Sequence, residues 1–227
     1  MVEFISSLQE PHLLRTCRHQ VERLEELLAN ENFYRISRFT DSMFSDATWT
    51  LSLSTLAAFK GFAGDLHSFY KQRMEELYDR HQHLVPVFPK SVFACATFNF
   101  GPRVVCNPHR DGLNLAYGWC AVTALGSFDH TKGGHLVLPE LRLAIQFPAG
   151  STLFIPSAIF THYNLPIAET EARSSFTQFS AGGIFRWIAY GFQKKSVAVA
   201  NGVNPPVWWN RSMGLFPTVP KDTMISR

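Results

Sequence analysis

The segment NPHRDGLN, residues 107–114, contains two side chains that could bind a metal ion, His109 and Asp111. They form the chain's one H-x-D or H-x-E arrangement. The segment is expected to follow a strand, where residues i and i+2 project to the same side, so both side chains should point into one opening. A third ligand should come from a later strand, and His162 in IPSAIFTHYN is the candidate. Two histidines and one carboxylate on one face of a metal are typical of non-haem iron(II) oxygenases.

These three ligands would leave three positions on Fe(II) open, which a bidentate 2-oxo acid and O2 can fill. The distal carboxylate of the 2-oxo acid then needs a cation inside the fold, preferably the planar fork of an arginine. Arg173 follows His162, at the start of RSSFTQF. Strand alternation predicts Arg173, Ser175 and Thr177 on one polar face and Phe176 on the other. We therefore expect an arginine and a hydroxyl to meet the carboxylate together.

Each of these residues also has an ordinary structural explanation. His109 and Asp111 could belong to an Asx-type turn, His162 could lie at a strand end, and Arg173 could be a surface charge. Taken together, in this order and on this strand pattern, they favour the metal site.

Two amphipathic helices are predicted in the first part of the chain. Apolar residues recur at spacings of three and four over residues 11–29 and over residues 65–82. Asp65 is the expected N-cap of the second helix. His81 and His83 fall in its last turn and diverge by about 200° around the helix axis, which favours helix-end capping over metal binding.

After Pro89 the chain consists of short apolar runs separated by glycine and proline. This punctuation predicts about seven antiparallel strands in a sandwich or barrel. Pro148–Gly150, within FPAGSTLFIP, are expected to form the turn of a hairpin between two apolar strands. Helices followed by strands make an α+β fold.

The composition is that of an ordinary globular protein, with 46% hydrophobic and 17% charged residues in a chain of 227. No apolar run approaches the roughly 18 residues that cross a bilayer, and a secretory signal pattern is lacking, so no membrane partner is expected. Four scattered cysteines predict neither disulfides nor structural zinc, which favours a nuclear or cytoplasmic location. The net charge of +3 leaves nucleic-acid binding open.

We expect a single domain over residues 1–227. It should comprise a mainly helical layer over residues 1–88, a β-core over residues 89–192 and an irregular tail over residues 193–227, packed on the core by Trp208 and Trp209.

Read in order, the residues H-x-D, a distal histidine and a later arginine resemble those of the Fe(II)/2-oxoglutarate dioxygenases. The resemblance covers about residues 91–192 and includes GGHLVLPEL and FPAGSTLFIPS. It implies a double-stranded β-helix, a jelly-roll or cupin-like barrel, supported by N-terminal helices. It also implies that His109, Asp111 and His162 bind Fe(II), while Arg173, Ser175 and Asn99 bind 2-oxoglutarate.

More narrowly, the stretch from HRDGLNLAYGWC to RSSFTQFSAGGIFRW resembles the TET/JBP-type oxygenase domains that are abundant in mushroom-forming fungi. This resemblance implies oxidation of the methyl group of a nucleobase, of the 5-methylcytosine or thymine type, in DNA or RNA. Asn114 and Tyr117 are candidate contacts to the substrate. Arg110, with Arg103, Lys194 and Lys195, could contact phosphate.

Two other functions remain open. A small-molecule hydroxylase of the same superfamily would use the same metal and co-substrate residues. A non-catalytic binding module would use the β-core without them. The oligomeric state is not predicted.

Overall fold

The computed structural model describes residues 4–5, 45–84, 86, 88, 90–203 and 214–215. The helix predicted over residues 11–29 and the tail residues Trp208 and Trp209 lie outside these ranges. Helices α1 to α4 span Ser45–Phe62, Gly64–Arg80, Gly182–Ala189 and Lys195–Ala200. Strands β1 to β8 span Phe4–Ile5, Cys95–Asn99, Cys120–Ser127, Leu136–Leu138, Leu143–Ile145, Thr152–Ile155, Tyr163–Asn164 and Ala172–Phe179. Among the described residues, no helix combines the length and the apolar character that crossing a membrane requires.

The strands form two antiparallel sheets. The larger sheet has the order β1-β6-β3-β8-β2 and the smaller one the order β5-β4-β7. From β3 onward the chain passes to the smaller sheet for β4 and β5, returns for β6, crosses again for β7 and returns for β8. Both sheets contribute side chains to one pocket. This crossing pattern is that of a jelly roll, so the predicted α+β class with double-stranded β-helix topology is confirmed.

The turn predicted at Pro148–Gly150 is present, but it does not close a hairpin. Gly150 has a φ of 87°, and the Ser151 N–H donates to the Pro148 carbonyl at 3.1 Å. The strand before the turn, β5, pairs with β4, whereas the strand after it, β6, pairs with β3 and β1. The predicted hairpin is therefore wrong. The local turn chemistry is the same whether a chain folds back on itself or crosses between sheets.

Helix α1 was not predicted from the spacing of apolar residues, because its buried face is partly polar. Ser52 and Thr55 are buried along with Phe59, so apolar residues alone do not mark the inward face. The Gln178 side-chain amide of β8 donates to the Ser52 hydroxyl at 3.0 Å. This contact fastens α1 to the larger sheet with a hydrogen bond that hydrophobic periodicity does not predict.

Helix α2 differs from its prediction at both ends, since it ends at Arg80, two residues early, and His83 lies beyond it. It begins at Gly64, so Ala63 is the N-cap and no side chain caps the first turn. The predicted cap, Asp65, lies in the first turn, where its negative charge still interacts favourably with the helix dipole. His81 is the C-cap residue, which confirms its expected place at the helix end.

The larger sheet lies between the helices and the smaller sheet. On its helical face, Phe154 of β6 packs with Phe59 of α1 and Tyr70 of α2 in one apolar cluster. On its other face, Leu153 and Ile155 pack with residues of β4 in a second cluster. Each fully buried side chain of this size contributes roughly 1.5–3 kcal/mol. The two apolar clusters therefore stabilise the sheets that line the pocket.

Two short helices follow the last strand. The β-core predicted up to residue 192 ends at Phe179, and the tail predicted as irregular from residue 193 begins with α4. Phe185 and Ile188 of α3 are buried in the cluster that includes α2. Segments of eight and six residues are too short for a helical period to be recognised in sequence.

Candidate metal and co-substrate site

His109 and His162 are paired through their main chains. The His109 N–H donates to the His162 carbonyl at 3.1 Å, and the His162 N–H donates to the His109 carbonyl at 2.9 Å. The two residues form an isolated antiparallel bridge, and the strand preceding His109 ends ten residues earlier, at Asn99. The expected position of His109 immediately after a strand is therefore wrong. The orientation of His109 is set instead by its main-chain pairing with His162, in the segment before β7.

The side chains of His109, Asp111 and His162 converge, and we call this group the metal corner. One ligand atom from each residue lies within 4.8 Å of the other two. The distance from His109 Nε2 to Asp111 Oδ1 is 3.6 Å, and that from His162 Nε2 to Asp111 Oδ2 is 3.8 Å. This is the spacing of donor atoms that can share one cation, and it is the ligand set of a facial triad.

Backbone carbonyls orient both imidazole rings. His109 Nδ1 lies 2.8 Å from the Asn107 carbonyl, and His162 Nδ1 lies 3.1 Å from the Phe160 carbonyl. Since a carbonyl can only accept, each Nδ1 must carry the proton. In the neutral rings the lone pair is then on Nε2, which faces the centre of the corner. Metal-binding histidines are held by such outer hydrogen bonds.

Burial keeps His162 in the form that binds a metal. The residue is 7% exposed, and the pKa of His162 is lowered, first by burial and further by the neighbouring His109. The hydrogen bond to the Phe160 carbonyl and, to a smaller extent, the charges of Asp111 and Glu140 raise the pKa but do not cancel the effect of burial. Neutral imidazole, the metal-binding form, is thus favoured at this position.

Asp111 is held by its neighbours as well. Its N–H donates to the Ser157 carbonyl at 2.9 Å. The Asn114 amide donates to Asp111 Oδ2 at 3.3 Å and to the Ser157 hydroxyl at 3.1 Å. Asn114, predicted as a substrate contact, lines the pocket, but its amide is turned toward the metal corner.

Arg173 is a buried cation in the same pocket. It is 2% exposed, and its guanidinium lies 5.9 Å from the ring centres of Phe128 and of Phe147. Its Nη1 reaches the Val104 carbonyl at only 3.5 Å. Over the described ranges its Nε has no hydrogen-bond partner, and no carboxylate forms an ion pair with it. Burial lowers the pKa of Arg173, which is the mark of a charge without compensation.

Such an arginine fits the distal carboxylate of a 2-oxo acid. A buried, unpaired cation is costly, and a carboxylate would satisfy both its charge and its free N–H groups. Gly134 makes room for the arginine stem, because a Cβ at that position would lie 3.3 Å from Arg173 Cδ and 2.7 Å from the Phe128 ring. The donor set of the metal corner likewise fits Fe(II).

The face predicted for β8 is the face observed. Arg173, Ser175 and Thr177 line the pocket, and Phe176 packs away from it in a separate apolar cluster. Asn99 is directly opposite Ser175 in the β2–β8 pairing, and its amide donates to the Ser175 hydroxyl at 3.0 Å. The structure therefore brings together Asn99, Ser175 and Arg173.

The pocket encloses about 260 Å³. It is lined from the larger sheet by Asn99, Val122 and Arg173, and from the smaller one by Leu136 and Asn164. A cavity of this size that contains a cation and a candidate metal corner can hold a small dicarboxylate beside the metal.

Asn164 belongs to this site and is missing from the sequence-based assignment. It is buried, and its side chain accepts from the Cys106 N–H at 2.8 Å and donates to the Val104 carbonyl at 2.9 Å. It thereby fixes the segment that leads to His109. A signal was present, because Asn164 lies two residues after His162 and strand alternation puts both on one side.

Two predicted substrate contacts lie elsewhere. Tyr117 is not among the residues that line the pocket. Its ring packs against Phe69 of α2, with ring centres 5.9 Å apart, because the chain after Asn114 turns toward the helices. Arg110 is exposed, and its charge is compensated by Glu140 at 2.7 Å.

The remaining candidates have ordinary environments. Arg103 is exposed and donates to the Glu169 carbonyl at 3.1 Å. Lys194 and Lys195 are exposed at the start of α4. His130 and His135 are not part of the metal corner, the one cluster of possible metal ligands found over the described residues.

No protein-family model and no curated protein sequence matches the chain. Among solved structures, NgTET1 in complex with 5mC DNA is similar at 19% identity with a TM-score of 0.37, covering 43% of this chain and 37% of that one. The viral collagen prolyl hydroxylase of Paramecium Bursaria Chlorella virus-1, in its 2OG complex, is similar at 16% identity with a TM-score of 0.28. That match covers 49% of this chain and 70% of the hydroxylase. The chain thus spans little more than a third of the NgTET1 structure, and the chemistry has to be judged from its own side chains.

Proposed function

We propose that this protein is an Fe(II)- and 2-oxoglutarate-dependent dioxygenase that oxidises a C–H bond. One observation carries the proposal. The metal corner, with both Nε2 atoms directed inward, shares a pocket with Arg173, a buried arginine that has no anionic partner among the described side chains. A metal site alone, or a buried arginine alone, would support several functions. Their combination is what a metal-bound 2-oxo acid requires.

In this proposal each residue has a definite task. His109, Asp111 and His162 would hold Fe(II). Asn107 and Phe160 keep the two rings oriented through their carbonyls. The metal, when bound, supplies the activation of O2 coupled to decarboxylation of 2-oxoglutarate.

Arg173 binds the distal carboxylate of 2-oxoglutarate, with Ser175 and Asn99 beside it. The Ser175 hydroxyl can donate to that carboxylate while it accepts from Asn99. Aromatic rings around the guanidinium exclude water, which strengthens the charge-assisted hydrogen bonds.

For the substrate we propose the methyl group of a modified nucleobase in DNA or RNA, of the 5-methylcytosine or thymine type. The support is the sequence resemblance to TET/JBP-type domains over the stretch from HRDGLNLAYGWC to RSSFTQFSAGGIFRW, residues 109–187. A small-molecule hydroxylase is the second candidate, and one observation favours it: Arg110 is neutralised by Glu140 and so is a weaker phosphate contact than expected. A non-catalytic module is disfavoured, because an uncompensated buried arginine destabilises a protein that never binds an anion.

The test is a direct assay for product and co-product. The purified protein is incubated with Fe(II), 2-oxoglutarate and matched methylated or unmethylated oligonucleotides, and nucleosides and succinate are quantified by mass spectrometry. We expect oxidised nucleoside from the methylated oligonucleotide, and an amount of succinate that rises in proportion to it. Asp111→Ala is the matched control and should abolish both.

Two outcomes would contradict parts of the proposal. Succinate without oxidised nucleoside would exclude the base substrate and leave the dioxygenase. Undiminished succinate from Asp111→Ala would exclude the metal corner itself.

A further inference from the structure

Three side chains form a closed cluster on the outer side of the metal corner, and we call it the clamp: Arg110, Glu140 and Thr161. Arg110 Nη2 donates to Glu140 Oε1 at 2.7 Å, and Arg110 Nε donates to the Thr161 hydroxyl at 3.0 Å. The Thr161 hydroxyl in turn donates to Glu140 Oε1 at 2.6 Å. Each side chain therefore contacts both of the others.

The clamp joins the two chain segments that carry the ligands. Arg110 stands between His109 and Asp111, and Thr161 immediately precedes His162. Glu140 belongs to neither segment. It lies in the single turn of 3-10 helix, Pro139–Leu141, that follows β4.

The sheet register explains why Glu140 reaches this place. In the β4–β7 pairing, Val137 is opposite Tyr163 and Leu136 is opposite Asn164. Continuing this antiparallel register brings the end of β4 toward Thr161. The carboxylate then receives the Thr161 N–H at 3.2 Å in addition to the two side-chain donors.

The Glu140 carboxylate accepts several short hydrogen bonds. Hydrogen bonds from Thr161, then from Arg110, lower the pKa of Glu140 to about 2, so it is charged at any physiological pH. The ion pair itself is exposed, with 54% and 33% of its two side chains accessible. Exposed ion pairs contribute little to global stability. The larger effect is expected on the distance between the two segments that the clamp ties together.

We propose that Glu140 is a positioning residue that holds His162 at its working distance from His109 and Asp111. The inference rests on the proposed metal centre, since it assigns no chemistry to Glu140. It accounts for the placement of three donors on one oxygen of a carboxylate that is not itself one of the three candidate ligands.

The inference also separates two tasks at the corner. The main-chain bridge between His109 and His162 fixes their backbones, and the clamp fixes the residues next to them on the solvent side. Loss of the clamp should therefore loosen the ligand set without unfolding the protein.

The experiment is a Co(II) titration of the 227-residue chain. The visible absorption of bound Co(II) is recorded, because it reports ligand geometry. The variants are Glu140→Ala, Glu140→Gln and Thr161→Val, and thermal unfolding is measured for each. Glu75→Ala is the matched control, because Glu75 forms an exposed ion pair with Lys71 at 3.5 Å on α2. Asp111→Ala defines the baseline without a metal corner.

For Glu140→Ala we expect Co(II) affinity to fall about tenfold, the lower end of what outer-shell residues contribute, with an altered absorption band. Glu140→Gln keeps an oxygen acceptor for Thr161 and should lose only about two- to fivefold, the effect of an exposed charge pair. Thr161→Val removes the hydroxyl but keeps the main-chain N–H contact and the Arg110 pair, so it should lose less affinity than Glu140→Ala. Glu75→Ala should match the wild type in both affinity and spectrum.

The outcomes are distinguishable. Wild-type protein that binds no Co(II) beyond the Asp111→Ala baseline would overturn the proposed metal centre. Wild-type binding that Glu140→Ala and Thr161→Val leave unchanged in affinity and spectrum would overturn the role of Glu140 alone. If Glu140→Ala fails to fold, Glu140→Gln decides the question, and wild-type affinity and spectrum in that variant together with Thr161→Val would overturn the inference.

Discussion

His109 and His162 exchange both of their main-chain hydrogen bonds, at 3.1 and 2.9 Å, and each ring is held by a carbonyl two residues before it. The two histidines of the metal corner are therefore fixed in two ways, by the pairing of their main chains and by the hydrogen bonds that orient their rings. A site organised in this way before any metal binds loses little conformational entropy on binding.

Arg173→Met should separate stability from co-substrate binding. Methionine fills a similar volume without a charge, so the ligand-free variant should be as stable as the wild type or more stable, because an unpaired buried cation is removed. Affinity for 2-oxoglutarate should fall roughly 10- to 100-fold, the effect of losing charge-assisted hydrogen bonds worth about 1.5–3 kcal/mol. Thermal unfolding without ligand and anaerobic titration with Fe(II) and 2-oxoglutarate measure the two quantities. A strongly destabilised variant would show that Arg173 already has a partner in the free protein.

Asn114→Ala should weaken metal binding through Asp111. The Asn114 amide bridges the carboxylate and the Ser157 hydroxyl, and its loss should let the carboxylate rotate. We expect metal affinity to fall about tenfold, as for other residues that orient ligands. Isothermal titration with Mn(II) provides the measurement, and Asn201→Ala on the exposed end of α4 serves as the control. Unchanged affinity in Asn114→Ala would assign the amide to the substrate instead.

The metal-free protein should lose stability as the pH falls below 6.5. The pKa of His162 is lowered in the folded state from its ordinary value of 6.5, mainly by burial, so the unfolded chain binds the proton more tightly. The contribution of His162 is then fully present above pH 6.5 and is lost as the pH falls through the folded value. His67, whose pKa is lowered chiefly by burial, acts in the same direction. Unfolding measured with a chelator at pH 7.5 and pH 5 should show a smaller loss for His162→Gln than for the wild type, and equal losses would contradict the prediction.

The three cysteines within the described ranges, Cys95, Cys106 and Cys120, should differ in their reactivity toward iodoacetamide. Cys120 is buried, and burial raises its pKa to about 12, so it should react most slowly. Cys106 lines the pocket and should be protected when Mn(II) and 2-oxoglutarate are bound. Cys95 lies on β2 outside the pocket lining and should be unaffected by them. Peptide mass spectrometry gives the three rates, and equal protection of Cys95 and Cys106 would argue against ligand binding in this pocket.

The residues of the site were accessible from the sequence because their signals are local. His109 and Asp111 are recognised by residue type and spacing, and the alternation that puts Arg173 and Ser175 on one face follows from the period of a strand. Asn164 could have been found by the same rule. Residue types in order thus determined which side chains are capable of binding a metal and a carboxylate.

Long-range contacts decided the rest, since they depend on which elements pack together. The turn at Pro148–Gly150 looks the same in a hairpin and in a crossing between sheets, and only the partners of β5 and β6 distinguish them. The position of Tyr117 is determined by its contact with helix α2, and that of Arg110 by its ion pair with Glu140. Neither partner is close in sequence. The convergence of His162 on Asp111 belongs to this second group, because it requires the segment before β7 to pair with a loop that lies far from it in sequence. Local sequence determines the direction of a side chain along its own segment but not the distance to another segment.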